Sequence, residues 1–292
     1  MGVLDANLVP AVDGVAYGLL LFVAAAGLTL AFGTGNVLNL AHGTLYAVGG
    51  YTAAALGDGS WAGLLLAAVA GTAAAAGGGV LVAALTAPLR RRGHLAQALL
   101  TCGLGLIGAG LLSTAAGPDE LPVVLPPGLG GSLLLLGHRF PVHRLALIAV
   151  AGVLAVAGHL LLTRTRAGAL VRATVDDPQM VAACLGTDPR RVHTAVLTAG
   201  GALAGLAGVL GAPVIGPGPR AADTVLLLSL AVVVLGGPGS VGGALLAAVA
   251  IGEVQTLGVV LLPDLAPYLL FTALAAALLL RGRRERAGRS TP

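Results

Sequence analysis

Residues 12–33, VDGVAYGLLLFVAAAGLTLAFG, decide the fold class of this chain. The run carries a single charged side chain, Asp13, and is otherwise dominated by apolar residues and glycine. An α-helix needs about 20 predominantly apolar residues to cross the hydrocarbon core of a bilayer, which is roughly 30 Å thick. The run therefore predicts a transmembrane helix.

The composition of the whole chain fits a protein embedded in lipid. Of its 292 residues, 57% are hydrophobic, 46 more are glycine, and only 10% are charged. A soluble domain has about 45–50% apolar residues with glycine included, and about a quarter charged residues. We therefore predict an all-α, polytopic transmembrane helical bundle that forms a single domain over residues 1–292.

Further apolar runs predict spans at 37–57, 61–86, 94–116, 143–163, 193–212, 223–237, 241–262 and 267–280. The second span differs from the others because it contains Asn39 and His42. The seventh is short and leads into the sequence GGPGS at 236–240. Both are candidates for broken or re-entrant helices, which membranes tolerate where protein buries the backbone or a cavity adjoins it. The expected count is about eight or nine spans.

Arginine placement orients the predicted spans. The chain has no lysine, and thirteen of its sixteen arginines lie in three clusters, at 90–92, 164–191 and 281–289. Cytoplasmic loops carry the Lys/Arg excess, and nine crossings place all three clusters on one side. We expect the N-terminus outside, the C-terminus in the cytoplasm, a long external loop at 117–142 and a long cytoplasmic loop at 164–192.

Several classes of chemistry are excluded by residue content. A P-loop needs a lysine on the nucleotide phosphates, and Schiff-base enzymes need a lysine nucleophile. Cys102 and Cys184 lie far apart, and the histidines lack metal-ligand spacing, so neither a disulfide framework nor a metal site is predicted. We expect no enzyme, no cofactor bound by this chain, no nucleic acid partner and no cleaved signal peptide.

Polar side chains inside the predicted spans are the candidates for a substrate path. The second span holds Asn36, Asn39 and His42, followed by Gly43, and Glu253 is the only acid well inside a span. Polar groups are costly in hydrocarbon and tend to face the bundle interior or a cavity. For the asparagines and the histidine, the alternative is hydrogen bonding between helices. For Glu253 we prefer a structural partnership with His42 or with backbone donors.

The loop at 164–192 contains a short helix with its own start and stop signals. Asp177 is suited to cap the helix and Pro178 fits its first turn, while Gly186 fits just past its end. Asp188-Pro189 repeats the cap for the next helix. Helical spacing predicts one apolar face, formed by Met180, Val181, Cys184 and Leu185. Such a helix suits either the lipid surface or a partner protein.

A row of small residues marks the sixth predicted span. Residues of this size allow two helix backbones to approach closely in a membrane. The row therefore predicts a close helix-packing face, formed by Gly200, Gly201, Ala204, Gly205 and Gly208.

Blocks spread over most of the chain resemble the branched-chain amino acid ABC transporter permeases. Residues 27–30, 39–43 and 49–51 are together similar to the N-terminal signature of that family. Residues 172–192 resemble its cytoplasmic coupling loop. The run at 204–210 resembles the helix that follows, and the run at 236–244 resembles the C-terminal glycine motif.

The resemblance implies a permease subunit that moves branched-chain or related amino acids across the bacterial inner membrane by alternating access. It implies four kinds of partner: a second, related permease subunit, two ATPase subunits that bind ATP and Mg, an external solute-binding protein and membrane lipid. It also favours docking of the short helix on an ATPase. The expected coupling residues are then Asp177, Pro178, Met180, Val181, Cys184, Leu185 and Gly186.

Two departures from the family pattern bear on substrate identity. Thr44 stands where a glutamate is frequent, and Gly50 where an alanine is frequent. A permease of the same family for urea, short amides or other amino acids is therefore an alternative. The alternative from another class is an ion-coupled secondary transporter, whose folds have broken helices around ion sites. The lack of paired intramembrane acids and the capped cytoplasmic helix argue against it.

Overall fold

The computed structural model describes residues 7–35, 38–117, 119–135, 137–237 and 239–265, with a few positions between 268 and 279. The helices in these ranges are α1 (Leu8–Gly35), α2 (His42–Leu56), α3 (Trp61–Thr86), α4 (His94–Ala116), α5 (Val142–Arg164), α6 (Arg166–Asp176), α7 (Pro178–Leu185), α8 (Pro189–Ile215), α9 (Ala221–Gly236) and α10 (Val241–Leu261). A short antiparallel pair, β1 (Ser132–Leu135) and β2 (His138–Pro141), precedes α5.

Six of these helices are long and apolar enough to cross a membrane, namely α1, α3, α4, α5, α8 and α10. Helices α2 and α9 are shorter, with 15 and 16 residues. The predicted all-α polytopic bundle is therefore confirmed. The count of eight or nine spans stays a prediction, because two of the helices are short and most of 267–280 lies outside the described residues.

The helices run between two ends of the bundle. At one end, Asp13 near the start of α1 forms an ion pair with Arg144 near the start of α5. At the other, the backbone N–H of Gly239 donates to the carbonyl of Thr29, near the end of α1, at 3.0 Å. The connections that carry the two described arginine clusters, α3 to α4 and α5 to α8, lie at this second end. We call it the arginine end and the first the loop end.

Helix α8 lies at the centre and packs against α1, α2 and α3. Gly205 lies directly against the backbone of Gly49 on α2 and of Gly71 on α3. A Cβ atom on Gly205 would come within 2.6 Å of the Gly71 carbonyl oxygen and 2.5 Å of the Ala75 Cβ. The predicted packing face is confirmed, since all five of its small residues are buried.

Helices α4 and α5 lie at the periphery and expose large apolar side chains. In a bilayer such a surface is in contact with lipid or with another subunit, because hydrocarbon solvates it as well as a protein core does. The exposed side chains include Leu99, Leu106, Ile107, Val153 and Val156.

We expect Gly205→Val to destabilise the purified protein, because its side chain would overlap two neighbouring helices. Overpacking a core costs about 1–3 kcal/mol. Gly110→Val is the matched control, since Gly110 lies on the exposed face of α4 and a Cβ atom there would have no neighbouring atom within 4 Å. Thermal unfolding in detergent should show a lower midpoint for Gly205→Val alone. Equal midpoints for the two variants would contradict the packing described.

Candidate functional site

The second predicted span is helical only from His42 onward. Residues 38–41 are not helical, and α2 begins only at His42. The His42 ring lies against Ala24 of α1, which is about 16 Å from Gly35 along that helix at 1.5 Å per residue. The chain therefore turns back into the bundle before α2 begins. This span, with its polar residues Asn39 and His42, is one of the two predicted candidates for a broken or re-entrant helix.

Hydrogen bonds from neighbouring side chains satisfy the irregular backbone before α2. The Thr101 hydroxyl on α4 accepts from the N–H of Leu40 at 3.1 Å and donates to the carbonyl of Leu38 at 2.9 Å. The Asn39 side-chain oxygen accepts from the N–H of Ala41 at 3.2 Å. An unpaired backbone group costs several kcal/mol inside a membrane, so these bonds help to stabilise the non-helical residues 38–41.

His42 joins the start of α2 to α1. Its Nε2 atom lies 2.6 Å from the carbonyl oxygen of Ala24 and donates to it, since a carbonyl can only accept. The side chains of His42 and Asn39 are 1% and 2% exposed. Hydrogen bonding between helices, one of the two roles considered for these residues, is therefore present for His42, whereas the Asn39 side-chain oxygen bonds within its own segment.

Gly43 lies where the two short helices meet. A Cβ atom here would overlap the carbonyl oxygen of Ala222, in the first turn of α9, and come within 2.8 Å of the Leu226 Cβ. Only glycine allows this approach. Asn36, the other predicted path residue of this region, lies outside the described residues.

Glu253 lies apart from this group, so of its two predicted partners, His42 or backbone donors, His42 is wrong. Helix α10 crosses α1 through Gly252, which brings the Glu253 carboxyl against Gly14. Gly14 is about 15 Å along α1 from Ala24, the residue that His42 contacts. The buried Oε2 atom of Glu253 has no hydrogen-bond partner among the described residues. Within the same ranges no three metal-ligating side chains come together.

The start and stop signals of the short surface helix are confirmed. The Asp177 carboxylate accepts from the N–H groups of Gln179 at 2.8 Å and Met180 at 3.0 Å. Gly186 ends the helix in the left-handed conformation, with φ of 61°. The Asp188 carboxylate caps α8 by accepting from the N–H of Arg190 at 2.9 Å. Caps at both ends make α7 a defined unit.

The predicted single apolar face of α7 is wrong. Val181 is 4% exposed and packs inward, where α7 contacts α6 and α8, whereas Met180 is 62% exposed and Cys184 is also exposed. Successive helical residues are rotated by about 100°, so Val181 faces the rest of the bundle while Met180 faces outward. The side chains of Pro178 and Leu185 lie outside the described residues.

The glycine motif at 236–243 connects α1 to helix α6. Gly239 has φ of 77°, which favours glycine, and its N–H bonds to Thr29 of α1. A Cβ atom on Gly239 would lie 3.1 Å from the Val175 side chain of α6. Gly33 packs against the same turn. The surface unit of α6 and α7 is thus in contact with the end of α1.

Two residues that organise the site were missed by sequence reasoning. Thr101 sits in an apolar run. The signal that could have found it is the presence of a polar residue inside a predicted span. Val175 carries no such signal, because valine is ordinary in a helix of this composition. Its role is visible only from its contact with Gly239.

Comparison with known proteins identifies the family to which the sequence is similar. A family model described as the permease component of branched-chain amino acid transport systems matches residues 11–280. The chain is 27% identical over 262 residues to the high-affinity branched-chain amino acid transport system permease protein BraD of Pseudomonas aeruginosa, covering 85% of this chain and 84% of BraD. No solved structure matches the chain.

We expect Thr101→Val to destabilise the protein, because it removes the hydroxyl that bonds to the N–H of Leu40 and the carbonyl of Leu38 and leaves these two groups only their 3.1 Å bond to each other. An unsatisfied buried polar group costs about 1–3 kcal/mol. Thr114→Val is the matched control, since Thr114 lies on the same helix, is exposed and bonds only to the carbonyl of Gly110 at 2.8 Å. Thermal unfolding should separate the variants, and an equally small effect of both would show that Thr101 does not support the non-helical residues 38–41.

Proposed function

Because the chain belongs to the family of branched-chain amino acid ABC transporter permeases, we propose that it forms part of the route by which an ATP-driven importer moves branched-chain or related amino acids across the bacterial inner membrane. It is a transport subunit and not an enzyme. The observation that carries the proposal is the capped helix α7, which presents Met180 and Cys184 outward while its own bundle holds Val181.

The proposed partners are a second permease subunit, two ATPase subunits and an external solute-binding protein. The absence of lysine supports the assignment of ATP and Mg to other chains, because a P-loop needs that residue. The relative BraD is itself named as the permease protein of a transport system. A leucine-like substrate needs few polar contacts, so we assign most of the discrimination to the binding protein.

The proposed coupling path begins at α7. Met180 and Cys184 would enter a groove on an ATPase subunit, and Asp177 and Gly186 would keep the helix rigid. A movement of α7 would reach α6 directly, since the two helices are in contact. The contact between Val175 and Gly239 would then carry it to the end of α1.

We place the substrate path beside the start of α2, with Asn39, His42 and Gly43 shaping it. These residues fix where α2 begins and how closely α9 approaches, so a change of access would alter their contacts. Asn36 and Glu253 stay candidates for the substrate path.

We expect His42→Leu to lower uptake while the complex still assembles and binds ATP. Unchanged uptake would leave His42 a packing residue.

The arginine end is the proposed cytoplasmic face, which puts the N-terminus outside and the C-terminus inside. Both described arginine clusters lie at that end, and cytoplasmic loops carry the arginine excess.

In a variant without the native cysteines, an impermeant thiol reagent on intact cells should label Ser132→Cys and spare Met180→Cys. The reverse pattern would invert the orientation.

The coupling contact predicts the effect of charge on α7. The double variant Met180→Asp/Cys184→Asp should reach the membrane normally but lose most ATPase co-purification, with uptake at least about tenfold lower, since 1.4 kcal/mol of lost contact energy already gives a factor of ten. Gln179→Asp/Ala182→Asp adds the same charge to exposed positions on other sides of the helix.

Co-purification of the ATPase and uptake of labelled leucine are measured for both double variants. We expect the Gln179→Asp/Ala182→Asp variant to retain most of both. Equal losses in the two variants, or full activity of Met180→Asp/Cys184→Asp, would contradict the proposed contact.

A further inference from the structure

An apolar crevice opens on the side of the bundle between α1, α5 and α8. Its volume is about 410 Å³. Because α5 leans on α1 and touches α8 only slightly, the crevice reaches the outer surface of the subunit. Its lining includes Phe22, Ala26, Leu154, Ala157, Ala202 and Leu203.

A second cavity, of about 330 Å³, adjoins the crevice at the arginine end. The two cavities share three lining residues, Leu30, Leu162 and Val241. The second cavity differs from the first in its polar side chains. These are His159 and Thr163 of α5 and Arg172 and Asp176 of α6. Together the cavities form one slot, apolar within the membrane and polar where α5 leaves it.

The charged side chains that line the polar part of the slot are one arginine, Arg172, and one aspartate, Asp176. Two further arginines, Arg164 and Arg166, lie in the same stretch of chain but line neither cavity. Arg172 forms no ion pair within the described residues. Basic pockets between transmembrane helices at the cytoplasmic face suit anionic lipid head groups. Asp176 opposes a second negative charge, so the pocket suits a head group with one phosphate.

We propose that this slot binds an anionic phospholipid from the leaflet at the arginine end. One acyl chain lies in the crevice, and Arg172 donates to the phosphate, with His159 and Thr163 beside it. Lipid tails and apolar side chains are equally apolar, so the crevice contributes a fit to the shape of an acyl chain. The preference for a negatively charged head group comes from Arg172 in the polar pocket. The bound lipid would join α5 to α6, and so support the unit that carries α7.

Lipid retention by the full chain purified in detergent tests the proposal. Native mass spectrometry counts bound phosphatidylglycerol and phosphatidylcholine after each is added at equal concentration. The wild type should retain phosphatidylglycerol several-fold better. Arg172→Gln should reduce that preference to near one. Arg190→Gln is the matched control, since Arg190 is an exposed arginine at the same end that lines neither cavity, and it should keep the preference.

A second variant tests the crevice separately from the charge. Ala202→Phe fills the apolar part of the slot and should lower retention of both lipids, while its thermal midpoint without added lipid shows that it folds. Equal retention of the two lipids by the wild type, or an unchanged preference in Arg172→Gln, would overturn the proposal.

Two other occupants are distinguishable. If the second permease subunit covers the slot, Ala157→Cys will crosslink to that subunit in the assembled complex and no lipid will be retained there, which overturns the proposal. If leucine, and not phosphatidylglycerol, raises the thermal midpoint in an Arg172-dependent way, the slot belongs to the substrate path and the proposal fails. The lipid site needs only a membrane-embedded chain, so its failure leaves the transport proposal intact.

Discussion

Backbone-to-backbone contact along α8 is the constraint on which the rest of the structure depends. Gly205 meets Gly49 and Gly71, and Gly200 meets Gly27 of α1, with no side chain between the helices. In a bilayer, apolar side chains gain little by leaving lipid, so helix association relies on close van der Waals packing. This contact holds α1, α2 and α3 around one central helix. The start of α2 can then lie deep in the bundle beside α1.

The parts of the fold that were predictable are those written locally in the sequence. Long apolar runs predicted the spans, and Asp177 and Gly186 predicted the ends of α7, because caps act within a few residues. The bonds of Thr101 to Leu38 and the position of Glu253 depend on which helices cross. Composition does not specify crossings. The apolar face of α7 was misassigned because the spacing of apolar residues does not show which of those residues are buried by the rest of the same chain.

Contacts run without a gap from the surface helix α7 to the start of α2. Helix α7 touches α6, whose Val175 lies against Gly239, and Gly239 is bonded to Thr29 of α1. On the same helix, the carbonyl of Ala24 accepts the bond from His42 at the start of α2. A movement imposed at the arginine end therefore has a physical route to the proposed substrate path. Whether the two sites are coupled along this route is established by measured coupling energies, because adjacency alone does not establish coupling.

The central claim is that this chain is a subunit of an ATP-driven importer, and a measurement of the energy source for uptake tests it most directly. The complete complex would be reconstituted in liposomes with its binding protein and labelled leucine outside, with ATP, with an imposed ion gradient, or with neither. The account predicts uptake that requires ATP in the compartment facing the arginine end and persists after ionophores collapse every ion gradient. Gradient-driven uptake by liposomes that contain this chain without ATPase subunits would contradict it and identify an ion-coupled transporter.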